Sequence, residues 1–134
     1  YDRTVFVLGV DEHALVLANE QYAAKTPFEP AFEGLFTRLV PGLDGYPKMA
    51  KTIPGSGITM DMAPERVRRL VREADDSRAP AESTVYQMLC LASEHDGRRL
   101  DDLADACWRG GEAWDAAVEA YADFLAGLAD AWSA

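Results

Sequence analysis

Lys48 and Lys51 are the residues of this chain best suited to chemistry on a polyphosphate. Only one other lysine, Lys25, occurs in the 134 residues, and the other cations are arginines and two histidines. The pair sits in PGLDGYPKMAKTIPGSGI, whose Pro-Gly, Asp-Gly and Pro-Gly dipeptides are turn signals. Residues 41–57 are therefore predicted to form an exposed, mobile loop. A lysine ammonium is a compact charge on a flexible stem, able to follow a phosphate as it leaves. When a carboxylate attacks ATP, charge builds on the departing β and γ phosphates. Positioned cations that engage that charge lower the barrier, and losing one costs about 3 kcal/mol. A loop that opens to admit ATP also accounts for the glycines and prolines.

Such lysines need a scaffold, and the sequence divides in two. Residues 4–10 (TVFVLGV) form a short continuous apolar run containing Gly9, predicted as a fully buried, parallel strand. Asp11 follows, placed to cap a helix over residues 12–25. A strand, a glycine turn, an acidic residue and a helix together mark the C-terminal edge of an α/β sheet, where such folds bind ligands. Residues 26–34 hold two prolines and read as a connector, and residues 35–40 as a second, weaker strand. From Pro64 onward the pattern is helical. Pro64 suits a first helical position, with Glu65 favoured by the helix dipole. Val67, Leu70 and Val71 share one face of that helix, and Arg66, Arg68, Arg69 and Arg72 lie off it. After a polar break at residues 75–82, Thr84 and Gln87 read as a capping box ahead of an apolar face. Leu100, Leu103, Ala104, Cys107 and Trp108 recur at helical spacing, and Gly110-Gly111 ends that helix. Trp114, Val118, Tyr121, Leu125, Leu128 and Trp132 step by four and three, the stripe of a helix of about six turns. The three tryptophans read as core or interface anchors.

Composition bounds the partners. Hydrophobic residues make up 49%, enough for a core, and no apolar run is long enough to span a membrane. The net charge of −10 opposes long-range attraction to nucleic acid without excluding local basic contacts. Cys90 and Cys107 lie in apolar helical patterns and read as reduced core thiols of a cytoplasmic protein. No Cys/His spacing suggests a metal site. His13 reads as a surface helical residue. The chain opens on Tyr1, at the edge of a strand, and reads as a piece of something longer. Scarce lysine beside plentiful Ala, Arg, Asp and Gly is a compositional bias rather than a functional signal.

PKMAKT resembles the KMSKS signature of class I aminoacyl-tRNA synthetases. The longer stretch LVPGLDGYPKMAKTIPGSGITMDMAPERVRRLV is similar to the corresponding segment of tryptophanyl-tRNA synthetases, with Pro54, Ser56, Ile58, Asp61, Pro64 and Glu65 in the family's order. Upstream, Gly9-Val10-Asp11-Glu12 resembles the family's Gly-x-Asp-Gln turn. Downstream, the arginine-rich helix, the Ala-Asp-Asp-Ser break at 74–77 and three amphipathic helices match the order of its C-terminal helical region. The departures are Ala50 where serine is usual, Thr52 where serine is usual, and Glu12 in place of glutamine. A His-Ile-Gly-His type segment is missing, so this chain alone is not expected to activate an amino acid.

The resemblance implies an α/β part changing to all-α. Residues 1–63 would be the C-terminal part of a Rossmann-type ATP-binding domain with its signature loop at 47–57. Residues 64–134 would be a predominantly helical bundle on the tRNA anticodon side. It implies that Lys48 and Lys51 grip the leaving pyrophosphate as catalytic residues. Asp11 would bind the ATP ribose, Gly9 would allow close approach of the nucleotide, and the backbone at Met49 would lie near adenine. ATP with Mg2+, tryptophan and tRNA are the implied ligands, and a homodimer the implied state of the full protein. Two other readings stand beside this one. The first is a non-catalytic synthetase-like module that binds a protein or RNA. The second, favoured by the net charge, is an adenylating paralogue that does not act on tRNA.

Overall fold

β-Branched and aromatic residues make residues 3–9 extended. In the computed structural model, which describes residues 3–27, 31–43 and 45–133, they form β1 (Arg3–Gly9). A short 3-10 turn (Val10–Glu12) leads into α1 (His13–Ala23) and then β2 (Ala31–Thr37). The strands pair in parallel from Arg3↔Ala31 to Gly9↔Thr37. Parallel strands require a crossover, and α1 lies between them in the chain. Thr4, Phe6 and Leu8 are half-buried while Val5 and Val7 are exposed. The Phe6 and Phe32 rings stack at 5.9 Å, and His13 sets its edge against Phe36 at 5.0 Å.

Two expectations for this part of the chain are corrected. β1 is not fully buried, because only alternate side chains find cover within the chain. β2 begins four residues earlier than the predicted 35–40 and takes in the end of the expected connector. Residues 28–30 of that connector lie outside the described residues, as does Asp44 of the Asp-Gly turn signal.

Four further helices follow: α2 (Pro64–Glu73), α3 (Thr84–Leu91), α4 (Gly97–Arg109) and α5 (Glu112–Ser133). Pro64 occupies the first turn of α2 as expected. The cap of α3 is Ser83 rather than Thr84: its hydroxyl accepts from the Tyr86 N–H at 3.2 Å, and Gln87 Nε2 donates to the Ala81 carbonyl. Asp96 caps α4 through the Arg99 N–H at 2.8 Å. Gly110 and Gly111, with positive φ of 66° and 76° that side chains rarely adopt, end it.

α5 is the spine of the bundle. Trp114, Val118, Tyr121, Ala122, Leu125, Ala126 and Ala129 are buried against Val67 and Val71 of α2, Val85, Met88 and Leu89 of α3, and Cys107 of α4. The stripe emerges at its end, with Leu128 43% and Trp132 74% exposed. Trp108 is 70% exposed and Cys90 is also exposed, so of the three tryptophans and two cysteines only Trp114 and Cys107 lie in the core. Both thiols are free. α2 is fastened to α5 by Arg68 on Asp123 at 2.7 Å and by Arg72 on both oxygens of Glu119 at 2.7 Å.

The chain forms two compact units, residues 1–39 and 40–134. The boundary expected at 63/64 falls inside the second unit, because residues 40–63 pack with the helices. Val40, Leu43, Met49, Ile58 and Met62 lie against the bundle core.

Candidate functional site

In the first unit, Asp11 sits in the 3-10 turn just beyond the C-terminal end of β1. It is not the cap of α1. Glu12 holds that position, and its side chain makes no cap hydrogen bond. The run Val10-Asp11-Glu12 completes a tighter turn first, which moves Asp11 one position ahead of the cap. Its carboxylate folds back over Gly9. A Cβ built on Gly9 would fall 2.5 Å from Asp11 Oδ1 and 2.9 Å from Leu39 Cδ2. Gly9 has ordinary extended backbone angles, so glycine is needed here for space and not for conformation. An exposed carboxylate at the C-terminal edge of a parallel strand pair is well placed to accept hydrogen bonds from a ligand's hydroxyls.

In the second unit, the lysine segment is more ordered than its composition predicts. The Met49 N–H donates to the Val40 carbonyl at 2.8 Å, Leu43 N–H to the Ser56 carbonyl at 2.9 Å, and Gly42 N–H to the Tyr46 carbonyl at 2.9 Å. Its centre is Ser56, which is fully buried. The Ser56 hydroxyl accepts from the Ala50 N–H at 3.1 Å, and the Ala50 and Ile53 carbonyls lie 2.8 and 3.0 Å from it. One serine thus holds the turn that carries Lys51. The sequence marked Ser56 only as a matching position; a small polar residue between two glycines was the sole hint of its burial.

Met49 supplies the apolar anchor. Its side chain packs against the bundle core and beneath Gly57, where a Cβ would meet Met49 Cγ at 2.6 Å. Lys48 is half-buried, whereas Lys51 is exposed and forms no ion pair among the described residues. Lys51 borders a cleft of about 380 Å³ formed within the segment, whose walls include Ala50, Pro54, Gly55 and Thr59. A free ammonium at the mouth of a glycine-lined cleft is suited to an anionic ligand. Gly9 and Asp11 belong to the first unit and Lys48, Met49 and Lys51 to the second. Each group is therefore an arrangement within its own unit.

The Ala-Asp-Asp-Ser break has a structural role. Asp75 Oδ1 accepts from the buried Trp114 indole N–H at 2.8 Å, and Arg78 donates to both Asp75 oxygens at 2.8 Å. Asp76 accepts from the Thr84 N–H at 3.4 Å. Of the α2 arginines, Arg68, Arg69 and Arg72 face carboxylates, and Arg66 is exposed without an ion pair among the described residues. His13 is exposed at the start of α1, as expected. Among the described residues no group of three His, Cys, Asp or Glu side chains is placed to hold a metal ion. No helix among them is long and apolar enough to cross a membrane.

No protein-family model and no curated protein matches the sequence. The fold does have a solved counterpart. The chain superposes on tryptophanyl-tRNA synthetase from the hyperthermophilic archaeon Aeropyrum pernix K1 with a TM-score of 0.71 and 24% identity. The match covers 96% of this chain and 40% of that one. The chain therefore has the fold of a tryptophanyl-tRNA synthetase segment.

Proposed function

We propose that this chain is part of a tryptophanyl-tRNA-synthetase-like ligase. By role, residues 1–63 would be the C-terminal part of its Rossmann-type nucleotide-binding domain, and residues 64–134 the helical bundle on the anticodon side. One observation carries the reading: a segment with the PKMAKT signature, within a chain of this fold, is held by Ser56 so that Lys51 stands free beside a cleft. In the reaction proposed for the full-length protein, the tryptophan carboxylate attacks the α-phosphorus of ATP. The bond to the β-phosphate breaks and pyrophosphate leaves. Lys48 and Lys51 take up the charge that builds on it. Asp11 accepts from the ribose hydroxyls, Gly9 leaves room for the nucleotide, and the Met49 backbone lies beside adenine. The adenylate then passes its acyl group to tRNA and releases AMP. Magnesium would accompany the ATP phosphates.

Tryptophan-dependent exchange of labelled pyrophosphate into ATP by the full-length protein tests this reading. Exchange should require tryptophan and fall at least tenfold in Lys51→Ala. Exchange unchanged in that variant rules out the role given to Lys51. A second reading, an adenylating enzyme that does not act on tRNA, draws on the neutralisation of Arg68 and Arg72 by Asp123 and Glu119 in a chain of net charge −10. Filter binding of the full-length protein to tRNA separates the two.

A further inference from the structure

The turn between α3 and α4 sets opposite charges around one apolar cavity. The Ser93 hydroxyl donates to the Leu89 carbonyl on α3 at 2.6 Å and accepts from the His95 N–H at 3.3 Å. Asp96 then caps α4 through the Arg99 N–H at 2.8 Å. The backbone of the turn is thus tied to both helices. Within the second unit it borders a cavity of about 180 Å³ that opens to solvent. The floor is apolar: Leu89 and Leu103 are buried, and Ala117 and Phe124 are partly buried against the core. The rim carries Glu94, His95 and Arg99, all of them exposed. None of the three forms an ion pair among the described residues, although Glu94 and Arg99 border the same cavity. A carboxylate and a guanidinium that share a rim without meeting are both left to water, and both are open to a ligand. An apolar floor with a few polar groups to set orientation is the make-up of a small-molecule site.

We infer that this cavity binds a zwitterion with an apolar body, a free amino acid with an apolar side chain. The side chain lies on Leu89, Leu103 and Phe124, the carboxylate meets Arg99, and the ammonium meets Glu94. Charge complementarity selects this class. A purely apolar ligand uses neither charge, and a simple anion or cation meets one like charge at the rim. The volume slightly exceeds the roughly 150 Å³ of an apolar cavity that takes benzene, so a phenyl side chain fits. A ring there also gains an aromatic contact with Phe124. The site shares no residue with the cleft beside Lys51 and is independent of any ATP chemistry.

Phenylalanine is the probe, titrated into the 15N-labelled chain. The expected result is saturable shifts of the Glu94, His95, Arg99 and Ala120 amides. Two analogues each keep one charge: 3-phenylpropionate the carboxylate, and phenethylamine the ammonium. Arg99→Gln should weaken phenylalanine and 3-phenylpropionate by about two- to fivefold each, the worth of an exposed ion pair, and leave phenethylamine no weaker. Glu94→Gln should weaken phenylalanine and phenethylamine to the same extent and leave 3-phenylpropionate no weaker. A merely structural role for either residue would not produce that crossed pattern. Ala120→Trp fills the cavity from an exposed position on α5 and should abolish the shifts. Leu91→Trp, at a half-exposed position that does not border this cavity, should change nothing. Absence of saturable shifts overturns the site. Binding of all three ligands that neither charge variant alters, or that both alter equally, overturns the zwitterion assignment. Binding that survives Ala120→Trp places the ligand elsewhere and overturns the location.

Discussion

Replacing Ser56 by alanine should loosen the lysine turn without unfolding the bundle. The Ser56 hydroxyl is fully buried and is the acceptor of the Ala50 N–H at 3.1 Å, with the Ala50 and Ile53 carbonyls at 2.8 and 3.0 Å. Alanine removes the acceptor and the single proton shared by those carbonyls. Stranding a buried donor costs about 1–3 kcal/mol. All of these hydrogen bonds lie within residues 50–56, so the loss falls on opening of the segment and not on global unfolding. An opening made easier by that amount raises local exchange by roughly 5- to 150-fold. Amide hydrogen exchange followed by NMR reads this directly at Ala50, Ile53 and Ser56, with the Arg99 amide, bonded to Asp96 at 2.8 Å, as control. A change of less than about twofold at Ala50 refutes the claim that Ser56 organises the turn. Equal acceleration at Arg99 refutes the claim that its effect is local.

Other outcomes follow from the same geometry. Asp75→Ala leaves the buried Trp114 indole without its acceptor and should lower stability by about 1–3 kcal/mol in urea melts, with Asp75→Asn losing less because an amide oxygen still accepts. Gly9→Ala puts a methyl group where Asp11 Oδ1 lies and should weaken ATP binding by the full-length protein while leaving the chain's melting temperature nearly unchanged. At low pH, the Arg72 hydrogen bond holds Glu119 below its ordinary value of 4.5, so its contribution is present above about pH 4.5 and is lost as pH falls through the folded value. Thermal melts of Glu119→Gln should accordingly show a flatter acid limb. In the alkaline range, burial pushes Tyr86 from 10.0 up to about 12, where its hydroxyl donates to the Leu100 carbonyl at 3.1 Å. That contribution is complete below pH 10 and disappears as pH rises toward 12, so Tyr86→Phe should melt with a flatter alkaline limb.

The helical half was legible because its signals are local. Pro64, the Gly110-Gly111 stop and the stripe of α5 each depend on neighbours within a few residues. Where a choice turned on one hydrogen bond, local pattern failed. Ser83 rather than Thr84 caps α3 because its hydroxyl reaches the Tyr86 N–H, and Asp11 lost the cap of α1 to an intervening 3-10 turn. Periodicity also gave no sign of where α5 leaves the bundle, and the end of its stripe, Leu128 and Trp132, is exposed. The expected mobility of the lysine segment rested on its glycines and prolines. Its order comes from Ser56 and from Met49 seated on helices far along the chain, contacts that composition does not record. At the candidate site, Lys48, Lys51, Gly9 and Asp11 stood out by residue type and spacing, whereas the organising role of Ser56 emerged only from its burial.

The most direct test of the central claim is titration of pyrophosphate into this chain, followed by backbone and lysine side-chain NMR. The account predicts saturable shifts centred on residues 48–52, weakened at least about tenfold by Lys51→Ala, the worth of one charge-assisted contact, and diminished by added salt. Shifts absent from residues 48–52, or an affinity that Lys51→Ala leaves unchanged, contradict it.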